Sequence, residues 1–298
     1  MASYAYRILN VFAREGRLTG NPLCVFEDGR GIDDATLQAL ARQFNLSETT
    51  FILPSERATA GVRIFTPGYE MPFAGHPTLG TAHVVRDLKR SGDSLTLEMK
   101  AGVIPVSASG DRWTLAANAP RARAVSQSRE DLAGILGLEP GDMAQRPMWV
   151  HTGREQLVVP LASAEAVGRA RPRADAFSRL QSEDGASMAY VFFDDGEKVE
   201  ARFFFPNGPA ILEDPATGSA CANLGGWFCV VQPGQEIERT VSQGVAVRRP
   251  STLFLSVQWS SPSPRGPSGA GLNAEGRGEG RVFVGGRVIE LGRGSITL

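Results

Sequence analysis

Short segments in which apolar residues run together or alternate with polar ones recur along the whole chain. They are rich in β-branched and aromatic residues and are bounded by turn-forming residues, a combination typical of β-strands. The pattern predicts strands at residues 6–12, 23–26, 49–53, 62–65, 95–99, 157–160, 190–193, 200–205 and 253–258. Residues 282–298 alternate again on either side of Gly285 and Gly286, which predicts a terminal hairpin.

Helical periodicity is clearest at residues 33–44, where four apolar residues fall on one face and Asp33 or Asp34 can cap the N-terminus. Shorter helices fit residues 129–136 and 163–170, the second with Ser163 as a cap. Strands outnumber helices and do not alternate with them regularly. The sequence therefore predicts an α+β protein rather than a doubly wound parallel sheet.

Two seven-residue segments resemble each other: HPTLGTA at 76–82 and DPATGSA at 214–220 align without a gap. Each follows an apolar strand that ends in Phe-x-Pro, and a Thr-Gly pair precedes an earlier strand at nearly the same offset. Because the offset is close to half of the chain, we predict a duplication with two similarly built lobes. We place the N-terminal lobe at 1–118, with the strand at 282–298 returning to it, and the C-terminal lobe at 119–281.

Each seven-residue segment also opens a predicted helix, the second of which is almost wholly apolar. A helix that is apolar all round is buried, so we expect a curled, mostly antiparallel sheet or barrel around a central helix in each lobe. The N-terminus of a helix carries unpaired N–H groups, and Gly75, Gly80 and Gly218 leave room for a ligand there. If the lobes face each other, the two helix starts should form one cleft that binds a small carboxylate.

Three polar side chains interrupt small or apolar surroundings near these motifs: Glu48, His76 and Asp214. A carboxylate whose pKa is raised by burial can act as a general base near neutral pH. Each side chain also has an ordinary interpretation. Glu48 fits a solvated strand start, Asp214 and Ser219 fit helix caps, and His76 fits a turn.

Composition narrows the classes of partner. The 298 residues contain 31 Lys+Arg and 32 Asp+Glu, a net charge of −1, so no positive field attracts nucleic acid or an anionic membrane. No apolar run reaches the roughly 20 residues of a membrane span, and the N-terminus lacks the order of a signal peptide. The three cysteines, Cys24, Cys221 and Cys229, disfavour a disulfide framework and a zinc site, so a cytoplasmic protein is expected.

The high glycine count, 34 residues, has two sources. One is the segment 260–281, rich in Gly, Pro and Ser, which we interpret as a flexible loop of the C-terminal lobe. The other is the pair of helix starts. The pair His76 and His83 gives little support to a metal site, since the chain has only three scattered histidines.

Five segments together resemble the PhzF-like family, the phenazine-biosynthesis isomerases related to diaminopimelate epimerase. They are GNPLCVF (20–26), NLSETTFI (45–52), FTPGYEMPFAGHPTLGTA (65–82), EDPATGSA (213–220) and QG with RPS (243–251). The resemblance covers most of the chain. It implies two lobes with the active site between them and a homodimer as the usual assembly.

The same resemblance implies an isomerase that converts trans-2,3-dihydro-3-hydroxyanthranilate by moving a proton within the substrate, without a cofactor. It assigns the proton carrier to Glu48 and supporting roles to His76, Asp214 and Ser219. Gly75 and Gly218 would line the site. We also expect Thr217, in the same DPATGSA segment, to contact the substrate.

The sequence departs from the family pattern at Asn10, where Asp is usual, and at Arg248, where a small residue is common. The sequence therefore does not determine the identity of the substrate. Two-thiol epimerisation is disfavoured because no cysteine stands at either helix start. Two alternatives remain at this point. One is an amino-acid racemase or epimerase that uses Glu48 and Asp214 as opposed bases, and the other is a non-catalytic member of the family that binds a small molecule.

Overall fold

The computed structural model describes residues 2–259 and 280–298. Its backbone contacts divide the chain into two compact units. Unit 1 contains residues 1–115, 249–252 and 285–298, and unit 2 contains residues 116–248 and 253–284. The flexible loop predicted at 260–281 lies outside the described residues except for its last two, which begin the final strand.

Ten elements precede residue 117. They are β1 (Ser3–Val11), β2 (Asn21–Phe26), α1 (Asp34–Phe44), β3 (Glu48–Leu53), β4 (Ala60–Phe65), β5 (Glu70–Met71), α2 (Gly75–Lys89), β6 (Ser94–Met99), β7 (Gly102–Ser109) and β8 (Arg112–Ala116). Fourteen follow it in the part of the chain that the structure describes, including a short 3₁₀ turn at Pro140–Asp142. The others are β9 (Arg121–Ala124), α3 (Arg129–Leu136), β10 (Met148–His151), β11 (Glu155–Pro160), α4 (Ala164–Arg169), α5 (Ala174–Phe177), β12 (Ala189–Asp194), β13 (Lys198–Asn207), β14 (Ala210–Asp214), α6 (Gly218–Val231), β15 (Ile237–Gln243), β16 (Ser251–Trp259) and β17 (Gly280–Thr297).

Unit 1 is a closed ring of strands around α2. Antiparallel pairs join β1 to β17 and β2, β3 to β4, and β6 to β7, while β2–β3 and β4–β6 are parallel. β7 pairs with β8, and β8 with β17, which completes the ring. α2 packs against β1, β2, β3, β4 and β6. On the outer face, α1 covers an apolar cluster that includes Phe26, Phe51 and Phe65.

Unit 2 repeats this order of pairings. β10–β11 is antiparallel, β11–β12 parallel, β12–β13 antiparallel and β13–β15 parallel, the same sequence of directions as β1-β2-β3-β4-β6. In both units a short strand, β5 or β14, pairs with the fourth strand of this series and leads into the long helix. α6 packs against β9, β10, β11 and β15, and ten of its residues are buried. The expected α+β fold, with a curled sheet around a central helix, is confirmed.

Every strand and helix whose range is predicted above, apart from the terminal hairpin, corresponds to an observed element of the same type. No predicted range extends more than one residue beyond either end of the observed element. Asp33 accepts a hydrogen bond from the backbone N–H of Thr36, and Ser163 from that of Ala166, so both caps are confirmed. Two of the strands that the sequence pattern did not predict, β7 and β9, bury few of their side chains. β9 has no fully buried residue, and in β7 only Val106 is buried, so neither shows an alternation that the sequence could display.

The predicted terminal hairpin is wrong. β17 runs without a turn through Gly285 and Gly286, and neither glycine has a positive φ. A Cβ at Gly285 would lie 2.6 Å from Thr114 Oγ1, and one at Gly286 would lie 2.3 Å from Phe12 Cδ1. These glycines allow close packing rather than a turn.

Candidate active site

Glu48 is placed by the end of α1. That helix stops at Asn45, which adopts the left-handed conformation (φ 51°) and donates its N–H to the carbonyl of Ala41. Asparagine tolerates this conformation better than most residues, and it turns the chain into β3. Glu48 is the first residue of β3, opposite Leu23 of the parallel strand β2, and its side chain is 15% exposed.

His76 is the second residue of α2 and lies against Glu48. Its Nε2 is 3.3 Å from Glu48 Oε2, and its side chain is buried. The ring also hydrogen-bonds the backbone carbonyl of Pro22, while Nε2 has no hydrogen-bond partner among the described residues. We therefore assign the proton of the neutral ring to Nδ1, which makes Nε2 an acceptor. Burial lowers the pKa of His76 to about 3, so the imidazole is neutral.

Both long helices begin without a side-chain cap from the part of the chain that the structure describes. α2 starts at Gly75 after Ala74, and α6 starts at Gly218 after Thr217. Capping side chains usually satisfy the first N–H groups of a helix. Without such a cap, these N–H groups are suited to hydrogen-bonding an anion.

Asp214 is the last residue of β14, ahead of α6. The Thr217 hydroxyl donates to Asp214 Oδ2, and Gln243 Nε2 donates to Thr217 Oγ1 over 3.1 Å and to the backbone oxygen of Asp214 over 2.9 Å. Gln243 Oε1 accepts from the backbone N–H of Thr217 over 3.3 Å. Since a backbone N–H can only donate, this contact fixes the amide of Gln243 and makes Asp214 Oδ2 an acceptor.

Ser219 is the second residue of α6 and is half-buried. Its Oγ lies 3.1 Å from Nε2 of Gln156 on β11. Gln156 in turn contacts Asn223, one turn further along α6. Sequence reasoning assigned no role to Gln156, Asn223 or Gln243. The available signals were a polar asparagine within an otherwise apolar helix and the place of Gln243 in the QG segment.

The helix starts change the register of the internal repeat. The gapless alignment matches His76 with Asp214, but α2 begins at Gly75 and α6 at Gly218. By position in the helix, Gly75 therefore matches Gly218, and His76 matches Ser219. Asp214 belongs to the strand before the helix.

Gly80 has a different role from the one expected. A Cβ there would lie 2.4 Å from Leu23 Cδ2 and 2.9 Å from Val11 Cγ2. The residue therefore lets the middle of α2 approach the strands, and it leaves no room for a ligand.

Asn10, the residue that departs from the family pattern, is fully buried in β1. Its Nδ2 donates to the carbonyl of Arg17 over 2.7 Å, and its Oδ1 accepts from Nη2 of Arg249 over 2.8 Å. Both contacts suit a neutral amide, which can donate and accept at once.

All three cysteines are free thiols. Burial raises the pKa of Cys24 and of Cys221 well above the usual range, and it raises that of Cys229 to about 11. The thiolate needed for two-thiol proton transfer is therefore disfavoured at all three. In residues 2–259 and 280–298 no group of three or more His, Cys, Asp or Glu side chains is placed to hold a metal ion, and no helix is long and apolar enough to cross a membrane.

Comparisons with known proteins agree on one family. A family model described as phenazine biosynthesis-like protein matches residues 9–267. The chain is 33% identical over 299 residues to an uncharacterized isomerase of Pasteurella multocida, covering 99% of this chain and 95% of that protein. It is 33% identical over 306 residues to trans-2,3-dihydro-3-hydroxyanthranilate isomerase of Pseudomonas fluorescens, covering 98% and 99%. A solved Bacillus anthracis phenazine biosynthesis protein of the PhzF family superposes with a TM-score of 0.85 over the full length of both chains at 24% identity.

Proposed function

Since the chain belongs to the phenazine biosynthesis-like protein family and is an isomerase, we propose that Glu48 moves a proton within a small carboxylate substrate. The proposed reaction is of the same kind as the isomerisation in the name of one relative, trans-2,3-dihydro-3-hydroxyanthranilate isomerase. One observation carries the proposal. A carboxyl group with little exposure faces the unprotonated nitrogen of a buried, neutral histidine.

The proposed proton transfer needs no co-reactant, because the proton that leaves the substrate also returns to it. The Glu48 carboxylate takes a proton from one carbon of the substrate, and the electrons of that C–H bond move into the adjoining conjugated system. The resulting carboxylic acid returns the proton to a second carbon and becomes a carboxylate again. Substrate and product are isomers.

His76 stabilises the form of Glu48 that carries the proton. Its bare Nε2 is an acceptor, so it can take a hydrogen bond from the protonated carboxyl of Glu48. An imidazolium would instead favour the carboxylate. Keeping His76 neutral therefore assists proton transfer to Glu48.

The remaining residues bind the substrate in this proposal. The uncapped N–H groups at Gly75 and Gly218 suit a carboxylate, and Ser219 adds a side-chain hydroxyl. The Thr217 hydroxyl donates to Asp214, so Thr217 orients that carboxylate. Asp214, as an acceptor, suits an amino or hydroxyl hydrogen of the substrate. Cofactor independence, the homodimer and the cytoplasmic location stay predictions from the sequence.

The test replaces Glu48 by Gln, which keeps the shape and removes the base. We expect kcat for trans-2,3-dihydro-3-hydroxyanthranilate to fall by about 10²- to 10⁴-fold, the usual contribution of a general base. The matched control is Glu56→Gln, at an exposed position just after β3 in the same unit, which should leave kcat unchanged. Wild-type turnover by Glu48→Gln would exclude Glu48 as the proton carrier.

A further inference from the structure

Three buried polar side chains in unit 2 form a chain of hydrogen bonds that ends at Ser219. Asn223 is 0% exposed, Gln156 is 1% exposed and Thr152 is 6% exposed. Burying three polar side chains is costly unless each is fully hydrogen-bonded. This series of hydrogen bonds is therefore a specific feature of the fold. The backbone groups at one end fix which atom donates and which accepts in each bond.

The orientation of Asn223 is fixed by backbone groups. Its Oδ1 lies 2.8 Å from the backbone N of Thr152, which can only donate. Its Nδ2 lies 2.9 Å from the carbonyl oxygen of Arg154, which can only accept. The side-chain amide therefore has one possible orientation.

Asn223 then fixes Gln156. Asn223 Nδ2 donates to Gln156 Oε1 over 2.8 Å, so the other end of the Gln156 amide, Nε2, is a donor. Nε2 lies 3.1 Å from Ser219 Oγ. The Ser219 oxygen therefore accepts a hydrogen bond from Gln156, and the hydroxyl proton of Ser219 points away from Gln156.

We propose that Gln156 is a positioning residue that holds the Ser219 hydroxyl as a hydrogen-bond donor toward the substrate. Ser219 and Asn223 are four residues apart on α6 and lie on one face, so a single amide from β11 bridges them. With one Ser219 lone pair taken by Gln156 and the hydroxyl proton directed at the substrate, the proposal favours an acceptor there, such as a carboxylate oxygen, over an ammonium or a hydroxyl hydrogen. This inference rests on the proposed function for the use of Ser219 as a binding residue.

Gln156→Glu reverses the polarity of this contact with little change in shape. The introduced carboxylate, when ionised, can only accept, so the Ser219 proton turns toward it and away from the substrate. When the introduced carboxyl group is protonated, it again offers a donor to Ser219 and an acceptor to Asn223. The effect of this substitution should therefore depend on pH. The part of it that is lost in a Ser219→Ala background measures the turning of the Ser219 proton rather than repulsion between the introduced charge and an anionic ligand.

The experiment measures salicylate binding by titration calorimetry, because this carboxylate stays ionised in mild acid and is not turned over. At about pH 8 we expect Gln156→Glu to weaken binding about 10- to 100-fold, the range for loss of a charge-assisted hydrogen bond. At about pH 5.5 most of the loss should be recovered, since burial raises the pKa of a carboxyl group. Gln235→Glu, at an exposed position after α6, is the matched control and should bind like wild type at both pH values.

Several other titratable or charged groups lie on the neighbouring elements, among them Arg121 on β9 and Glu238 and Arg239 on β15. Burial raises the pKa of Tyr190 on β12 and of Cys221 on α6, so neither ionises in this range. Glu155 points to the other face of β11, where it is paired with Arg123, and Arg154 lies near Asp184. His151 on β10 lies opposite Glu155, and binding by each variant is compared with binding by wild type at the same pH.

Two outcomes overturn the proposal. One is a Gln156→Glu variant whose binding defect is the same at both pH values or matches that of Gln156→Met, which would mean that the amide only fills space. The other is a Ser219→Ala variant that binds salicylate as well as wild type; this measurement does not require the Gln156→Glu variant to fold. Neither outcome depends on turnover, so a failure here is distinct from a failure of the proposed isomerase activity.

Discussion

At the scale of single residues, the protonation of His76 is set by its neighbours. The carbonyl of Pro22 requires a proton on Nδ1, and burial opposes a second proton on Nε2. The nitrogen that faces Glu48 is therefore an acceptor over the whole range in which the enzyme is expected to work. This arrangement also links the stability of the fold to pH.

We predict that His76 makes the protein less stable in acid. The pKa of His76 is about 3 in the fold and 6.5 in an unstructured chain, so the unfolded state takes up the proton first. The free energy of unfolding should fall as pH drops from 6.5 toward 3, by at most about 1.4 kcal/mol per pH unit. His76→Asn keeps a donor for Pro22 and removes the titration, so urea unfolding of this variant should show a shallower pH dependence. Equal slopes for both proteins, or an NMR signal from a protonated Nε2 at neutral pH, would contradict the assignment.

At the scale of elements, the long helices are fitted into their sheets by glycine. Gly80 in α2 has no space for a Cβ, and in α6 a Cβ at Gly225 would lie 2.4 Å from Val282 Cγ1. Glycine weakens a helix by about 1 kcal/mol relative to alanine. In these two helices, close packing outweighs that cost.

Alanine substitutions should separate the two effects. Gly80→Ala gains helix propensity but overpacks against Leu23 and Val11, so we expect a net loss of about 1 to 3 kcal/mol in the free energy of unfolding. In Gly134→Ala, in α3, the added Cβ meets no atom within 4 Å, so this substitution should raise the free energy of unfolding by up to about 1 kcal/mol. Chemical denaturation of both variants measures the difference. A stabilised Gly80→Ala would show that α2 does not need this close approach.

At the scale of the whole molecule, Arg7 ties distant parts of the chain together within unit 1. It is 2% exposed and pairs with Glu27 at 2.6 Å, Asp87 at 2.6 Å and Glu290 at 3.0 Å. These partners lie just after β2, in α2 and in β17. The Arg7 hydrogen bond also holds the pKa of Asp87 below its usual range.

Replacing Arg7 by Met should destabilise unit 1. Three carboxylates would lose their shared cation, and since they are partly exposed we expect a loss of about 2 to 4 kcal/mol. The difference from wild type should shrink in acid, because a carboxylate with a lowered pKa loses its contribution as pH falls through that pKa. Thermal unfolding at neutral and acid pH checks this. Arg30→Met, which removes an exposed arginine paired with Asp28, is the control and should change little.

The sequence by itself determined the parts of this protein that depend on near neighbours. Apolar periodicity located the strands with a buried face, and Asp33 and Ser163 marked helix starts because a cap acts within three residues. The motifs around Glu48, His76 and Asp214 also identified the family. These signals are readable because each is written in a short, continuous segment.

Only the tertiary structure decided what depends on contacts between distant segments. It showed that Gly285 and Gly286 lie inside one long strand, packed on Thr114 and Phe12, although the sequence alone suggests a turn. It also moved the internal match from His76 and Asp214 to the true helix starts. The acceptor for the His76 ring and the amide behind Ser219 were likewise invisible in the sequence. Each is set by strand pairing and helix packing, which bring together residues that no local pattern connects.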